Sequence, residues 1–116
     1  MNRLVAFVCL LGFLPSVFAE IVCLETDDTI EVQVDGKPML TYRKSVVEPP
    51  EGMDPLFRRS GYIHPLMTPG GNPVTGDFPA DHPHQHALFF AWQKCRFEGK
   101  KISFWNQREG TGTISH

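Results

Sequence analysis

The stretch from Thr29 to Arg43 constrains the fold more tightly than any other. Thr29-Ile30-Glu31-Val32-Gln33-Val34 alternates β-branched and polar residues, Asp35-Gly36 follows, and Met39-Leu40-Thr41-Tyr42-Arg43 resumes the extended pattern. Period-two alternation on both sides of Asp-Gly is a β-hairpin signal, because the tight turn needs residues that tolerate positive φ. Ile30, Val32 and Val34 share one face, expected to be the core face. Downstream, Tyr62-Ile63-His64-Pro65-Leu66 reads as a strand whose proline, lacking an N–H, restricts it to a sheet edge or a strand end. Ala87 to Phe97 is rich in aromatics, Glu98 to Lys101 reads as a turn, and Ile102 to Trp105 alternates again and pairs back. Glu48 to Pro55 and Thr68 to Pro73 are loops by composition. No segment has the periodicity of an amphipathic helix, so the chain reads as all-β and antiparallel.

The first nineteen residues stand apart. Arg3 gives a positive start, Leu4 to Leu14 is apolar apart from Gly12, and Val17-Phe18-Ala19 supplies small residues where a signal peptidase reads. This is the pattern of a secretory signal peptide, and the apolar run is shorter than the roughly 20 residues that a membrane span needs. The domain assignment is therefore 1–19 as signal peptide and 20–116 as one small β-rich domain. The product is expected to be exported, periplasmic or extracellular, with no membrane attachment after cleavage. The full chain has net charge −2, removal of Arg3 makes it more negative, and no basic patch is visible, which argues against nucleic acid as a partner. A Cys23–Cys95 bridge would close a long loop and stabilise by about 4 kcal/mol. Two free thiols are expected instead, since Cys23 falls in an N-terminal segment expected to be loose. Arg58-Arg59 is expected to be a solvated pair, with an anion contact as the alternative.

Chemistry concentrates between Gly61 and Trp92, which holds four of the five histidines, His64, His82, His84 and His86, together with Asp77 and Asp81. In Asp81-His82-Pro83-His84-Gln85-His86 the histidines alternate. In an extended chain their rings would share one face, about 6.8 Å apart. Two such rings can converge on one ion at about 2.0–2.1 Å, with His64 or Asp77 from another strand as the third ligand. The candidate metal ligands are His64, His84 and His86, and imidazole with carboxylate suits zinc, iron or copper. The same residues support a metal-free reading. His84 and His86 then act as acid/base groups near neutral pH, with Asp77 as a further catalytic group that orients a ring. Tyr62 and Trp92 are the candidate ligand contacts, Trp92 by stacking on a sugar face. The least specific reading is a polar loop whose histidines satisfy buried backbone groups.

Arg59 to Leu66, Val74 to Pro79, Asp81 to His86, Phe90 to Trp92 and Ile102 to Trp105, in this order, resemble the PmoA-like family (DUF6807) of secreted bacterial proteins. The resemblance covers most of the chain after the signal peptide. It implies an antiparallel β-sandwich-like domain with the histidine motif at its site, in proteins of polysaccharide-degrading bacteria, so the implied partner is a carbohydrate or another small polar ligand. The implied function is a carbohydrate-active enzyme using a histidine cluster, with a non-catalytic carbohydrate-binding module or an inactive truncated product as alternatives. The family's methane-oxygenase label names a multi-helix membrane subunit that this chain does not resemble. Two departures stand out. Ala87 occupies a position where members often carry glycine, and the chain stops at His116 where members continue, so it resembles the N-terminal portion of a longer protein.

Overall fold

The computed structural model describes residues 18–116; the rest of the expected signal peptide, residues 1–17, lies outside the described residues. The architecture is all-β and antiparallel, as the sequence pattern indicates. Strands β1 (Ile21–Glu25), β2 (Thr29–Val34), β3 (Lys37–Arg43), β4 (Tyr62–Leu66) and β5 (Leu88–Phe89) form one five-stranded sheet in sequential order. β6 (Cys95–Phe97) and β7 (Lys100–Ile102) form a separate hairpin, and two single-turn 3-10 segments, η1 (Pro55–Phe57) and η2 (Gln107–Glu109), pack near each other. No described helix is long and apolar enough to cross a membrane.

Local turn chemistry explains the β2–β3 and β6–β7 hairpins. Asp35 (φ 50) and Gly36 (φ 72) join β2 to β3, and Glu98 (φ 49) and Gly99 (φ 78) join β6 to β7. Two consecutive positive φ values define the turn whose twist matches that of paired strands. The aromatic segment is less regular than its composition suggests. Only Leu88–Phe89 and Cys95–Phe97 are strands, and Phe104 returns a single backbone bond to Trp92 O at 2.9 Å instead of continuing a ladder. The N-terminal segment, expected to be loose, is β1, paired along its length with β2. Cys23 on β1 and Cys95 on β6 are both free.

Pro65 sits near a strand end, one of its two expected places, as the penultimate residue of β4, but β4 is not an edge strand. It is flanked by β3 on one side and β5 on the other. Its proline is accommodated by a bulge. The register runs from Tyr42↔Ile63 to Leu40↔Leu66, so one extra residue of β4 lies between the two pairs, at His64 and Pro65. The His64–Pro65 peptide is cis, and Arg43 Nε donates to the His64 carbonyl at 2.9 Å. Bulges are one of the few places where a sheet tolerates proline. β5 pairs only with Tyr62 and Ile63. Past the bulge the same side of β4 is taken over by the returning chain: Val74 N donates to Leu66 O at 2.8 Å, and the Thr75 hydroxyl accepts from Leu66 N at 3.0 Å.

The interior is unusually polar. Phe57 and Tyr62 are the buried hydrophobic residues among those described, against Arg59, Ser60, His86 and Ser103 as buried polar ones. Ile30, Val32 and Val34, expected in the core, are only half-buried, because no second layer of described residues covers that face. The segment after η2 instead packs over the start of β4. Ser60 Oγ donates to Ile114 O at 2.9 Å, and a Cβ added at Gly112 would sit 2.3 Å from Ser103 O, so only glycine allows that approach.

Ala87 lies just before β5 with φ 44, in the left-handed region that costs an L-residue about 1 kcal/mol or more. Glycine adopts it freely. Ala87→Gly is therefore expected to raise the urea midpoint at unchanged m-value, by a stabilisation of about 1 kcal/mol. An unchanged or lower midpoint would contradict the strain assigned to this position.

Candidate functional site

Tyr62 and His64 alternate on β4, and Thr75 and Asp77 alternate on the segment lying beside it. Side chains two residues apart on extended chain share a face, so the two pairs meet. Tyr62 Oη donates to Asp77 Oδ2 at 2.6 Å, and His64 Nδ1 lies 3.0 Å from Thr75 Oγ1. Asp77 also forms an isolated antiparallel bridge with His86. The residues after Asp77 and after His86, Phe78 (φ 49) and Ala87 (φ 44), both have positive φ and turn the chain at this bridge.

Bridge pairing brings the two side chains together in the interior. His86 Nδ1 lies 2.9 Å from Asp77 Oδ1. His86 is 0% exposed, with its ring edge-on to Phe78 at 4.6 Å between centroids and tilted against Tyr62 at 5.3 Å. An ionised carboxylate only accepts, so His86 Nδ1 carries the proton, and the other ring nitrogen of a neutral imidazole is an acceptor. Gln107 Nε2, on η2, lies 2.9 Å from His86 Nε2 and fits as its donor. Gln107 Oε1 is buried without a partner among the described residues.

Electrostatics follow from this geometry. Burial would raise the Asp77 pKa, but hydrogen bonds from His86 and Tyr62, and the charges of His86 and His64, outweigh it and hold the carboxyl below its ordinary 3.8. Tyr62 is raised well above the ordinary phenol range, first by burial and then by its bond to the Asp77 carboxylate. His84 is lowered, chiefly by burial and then by the neighbouring His82 and His86.

The alternate histidines do not share a face. The run is folded into two successive turns, with His82 N donating to Pro79 O at 3.0 Å and Gln85 N donating to His82 O at 2.9 Å. A period-two argument holds only for extended backbone. Within the turns, His82 is exposed and pairs with Asp81 at 3.0 Å. His84 packs edge-on against Trp105 at 4.5 Å between centroids, with Nε2 buried and unpartnered. The expected metal trio is therefore not assembled: His64 faces Thr75, His84 faces Trp105 and His86 faces Asp77 and Gln107. Among the described residues no three His, Cys, Asp or Glu side chains are grouped to hold an ion. Of the candidate catalytic residues, Asp77 and His86 meet, while His84 stands apart from them. Of the candidate ligand contacts, Trp92 is 61% exposed in a T-shaped pair with Phe90. Tyr62 is 1% exposed with its hydroxyl held by Asp77, so it is an internal member of the network and not a surface contact.

Gln107, Thr75 and Trp105 were not legible as site residues. Gln107 reaches His86 only because Asn106 caps η2, its side chain accepting from Arg108 N at 3.0 Å. An Asn at that position is a capping signal, but nothing local says which residue the capped turn will face.

Asp77→Asn tests the network through pH. Because the folded pKa of Asp77 is depressed, its contribution is complete above the unfolded value near 3.8 and is lost as pH falls through the lower folded value. Wild type is expected to lose stability across this acid window more steeply than Asp77→Asn. At neutral pH the variant should be less stable by about 1.5–3 kcal/mol, the worth of hydrogen bonds to a charged group. Parallel acid limbs in chemical unfolding would show that Asp77 is not held ionised by its neighbours.

The model of a family of unknown function, DUF6807, matches residues 29–116. No curated protein and no solved structure matches this chain. The match spans the sheet from β2 onward, the Asp77–His86 pair and η2, and the chain belongs to the DUF6807 family.

Proposed function

We propose that this DUF6807 member is an exported domain acting on a carbohydrate or similar hydroxyl-rich ligand, with His86 as its acid/base group and Asp77 as its positioning residue. The observation that carries this reading is the Asp77–His86 pair itself. A carboxylate on Nδ1 fixes the tautomer and ring orientation and leaves Nε2 to exchange a proton. Asp77 is in turn anchored by Tyr62.

In the proposed step, His86 Nε2 takes the proton of a ligand hydroxyl or a water as its oxygen attacks the carbon of a C–O bond in the ligand, and that C–O bond breaks as the new one forms. The Asp77 carboxylate stabilises the imidazolium that results, and the proton then passes from Nε2 to the leaving oxygen. Gln107 has to release Nε2 first. Its side chain borders a cavity of about 210 Å³, so moving one short turn would join that cavity to the ring. A metal-dependent route through His64, His84 and His86 is not proposed, because those rings diverge.

A second reading is favoured by the complete burial of His86: the pair braces the fold and the domain only binds. Trp92 and Phe90 then provide the ligand surface, in an open groove with Tyr42, Phe104, Thr113 and Ser115. Aromatic faces with hydroxyls at the margin suit a sugar ring.

Turnover of a panel of nitrophenyl glycosides and oligosaccharides by wild type, His86→Gln, Asp77→Asn and His84→Ala separates the two. The acid/base reading expects a loss of about 10²–10⁴-fold in kcat for His86→Gln, a smaller loss for Asp77→Asn and little change for His84→Ala. Sugar binding without turnover, reduced by Trp92→Ala and unaffected by His86→Gln in folded protein, would establish the second reading.

A further inference from the structure

Arg58 and Arg59, expected to be solvated together, are separated by the fold. Arg58 is exposed, whereas Arg59 is 4% exposed. The Arg59 guanidinium lies over the Phe89 ring, 4.5 Å from its centroid. Nη1 donates to Phe104 O at 3.0 Å and Nη2 donates to Phe90 O at 3.4 Å, while Nε is buried with no partner. No carboxylate pairs with Arg59 among the described residues. Burial lowers its pKa, yet a guanidinium remains charged at neutral pH. Buried charges ordinarily have a counter-charge, because removing one from water without compensation costs several kcal/mol. Here the compensation is two carbonyls and one aromatic face.

Both arginines line the cavity of about 210 Å³ that Gln107 borders, with Ser60 and Thr113 adding hydroxyls, and neither Asp nor Glu lines it. That volume is below the range of about 300–1,000 Å³ for drug-sized ligands, and suits a small charged group. The cavity shares Phe104, Thr113 and Ile114 with the groove that carries Trp92.

We infer that this cavity binds an oxyanion, a carboxylate or a sulfate group, with Arg59 and Arg58 as its counter-charges, and that the group is carried by an acidic sugar whose ring lies in the adjoining aromatic groove. Assignment to a sugar rests on the function proposed above; oxyanion binding requires no turnover. Arg59 supplies a buried charge whose Nε has no partner among the described residues, and Arg58 an exposed charge in the same lining. Guanidinium donors match the planar geometry of carboxylate and the oxygens of sulfate.

Thermal unfolding of the exported chain in sodium glucuronate, sodium sulfate, sodium chloride and glucose, with salts at matched ionic strength, tests the inference. A ligand that binds only the folded state raises Tm as its concentration passes Kd. Glucuronate or sulfate is expected to raise Tm saturably, with chloride and glucose without effect. Glucuronate ahead of sulfate identifies a carboxylated sugar, and sulfate ahead of glucuronate identifies a sulfated one. Arg58→Gln should weaken the effective anion at least fivefold and Arg59→Lys at least tenfold, whereas Asp77→Asn should leave its affinity unchanged even where turnover is lost. If Arg59→Lys does not fold, Arg58→Gln decides, since that side chain is exposed. A response to chloride or glucose equal to that of the oxyanions, or wild-type affinity in Arg58→Gln, would overturn the site.

Discussion

The Asp77 carboxylate is the interaction on which the rest depends. It accepts from the Tyr62 hydroxyl, from His86 Nδ1 and from the backbone N–H of Phe78, at 2.6, 2.9 and 3.1 Å. Those three bonds tie the interior strand β4, the segment beside it and the far end of the histidine loop to one point. In a chain with a large apolar core, a buried carboxylate would be a minor feature. Here only Phe57 and Tyr62 are buried hydrophobic residues among those described, and one of them is a donor to Asp77. Hydrogen bonds to an ionised group are worth about 1.5–3 kcal/mol each, roughly twice a neutral bond. A few of them therefore weigh heavily against the small total stability of a domain this size.

How much of this was legible in the sequence depends on how local each cause is. The β2–β3 hairpin could be read directly because Asp35-Gly36 dictates a turn without reference to anything distant. The β6–β7 turn is legible for the same reason at Glu98-Gly99, but Lys100 and Lys101, expected in the turn, open β7, which ends at Ile102 where a strand to Trp105 was expected to start. β4 was legible as a strand but not as an interior one. Pro65 allows an edge or a strand end, and the bulge against β3, a property of the pairing partner as much as of the strand, leaves it near the end of an interior strand. β1 was not legible, since Ile21–Glu25 gains its order from β2 and not from a pattern of its own. The family resemblance, carried by ordered blocks from Arg59 to Trp105, was more informative than any single motif.

For the site, the sequence identified the right region and misread its geometry. Alternate histidines share one face only on extended backbone. Pro83 and the turns around it rotate successive rings instead: His82 to solvent, His84 onto Trp105 and His86 into the interior. The partner that gives His86 its character, Asp77, is nine residues away and meets it through a single bridge. Such a pairing leaves no periodic trace. Arg59 illustrates the same limit for charge. Two adjacent arginines look alike in sequence, and only the three-dimensional cover over Phe89 distinguishes a solvated cation from a buried one.

Gln107 is the position where this network changes most easily. With its amide N–H toward His86 Nε2, the imidazole must be neutral, because Asp77 already takes the proton on Nδ1. With the amide turned by half a rotation, Oε1 would face Nε2 and the ring would have to carry both protons. Each orientation satisfies one protonation state of His86 and leaves the other with two donors or two acceptors in contact. The unpartnered Oε1 is the cost of the neutral arrangement, about 1–3 kcal/mol for a buried polar group. Asp77 and Tyr62 have no comparable freedom, since each uses its polar atoms in a fixed direction. The protonation state of His86 is thus tied to the orientation of one side-chain amide, on a residue that also borders the cavity lined by Arg58 and Arg59. A ligand entering that cavity would meet Gln107 before it met His86.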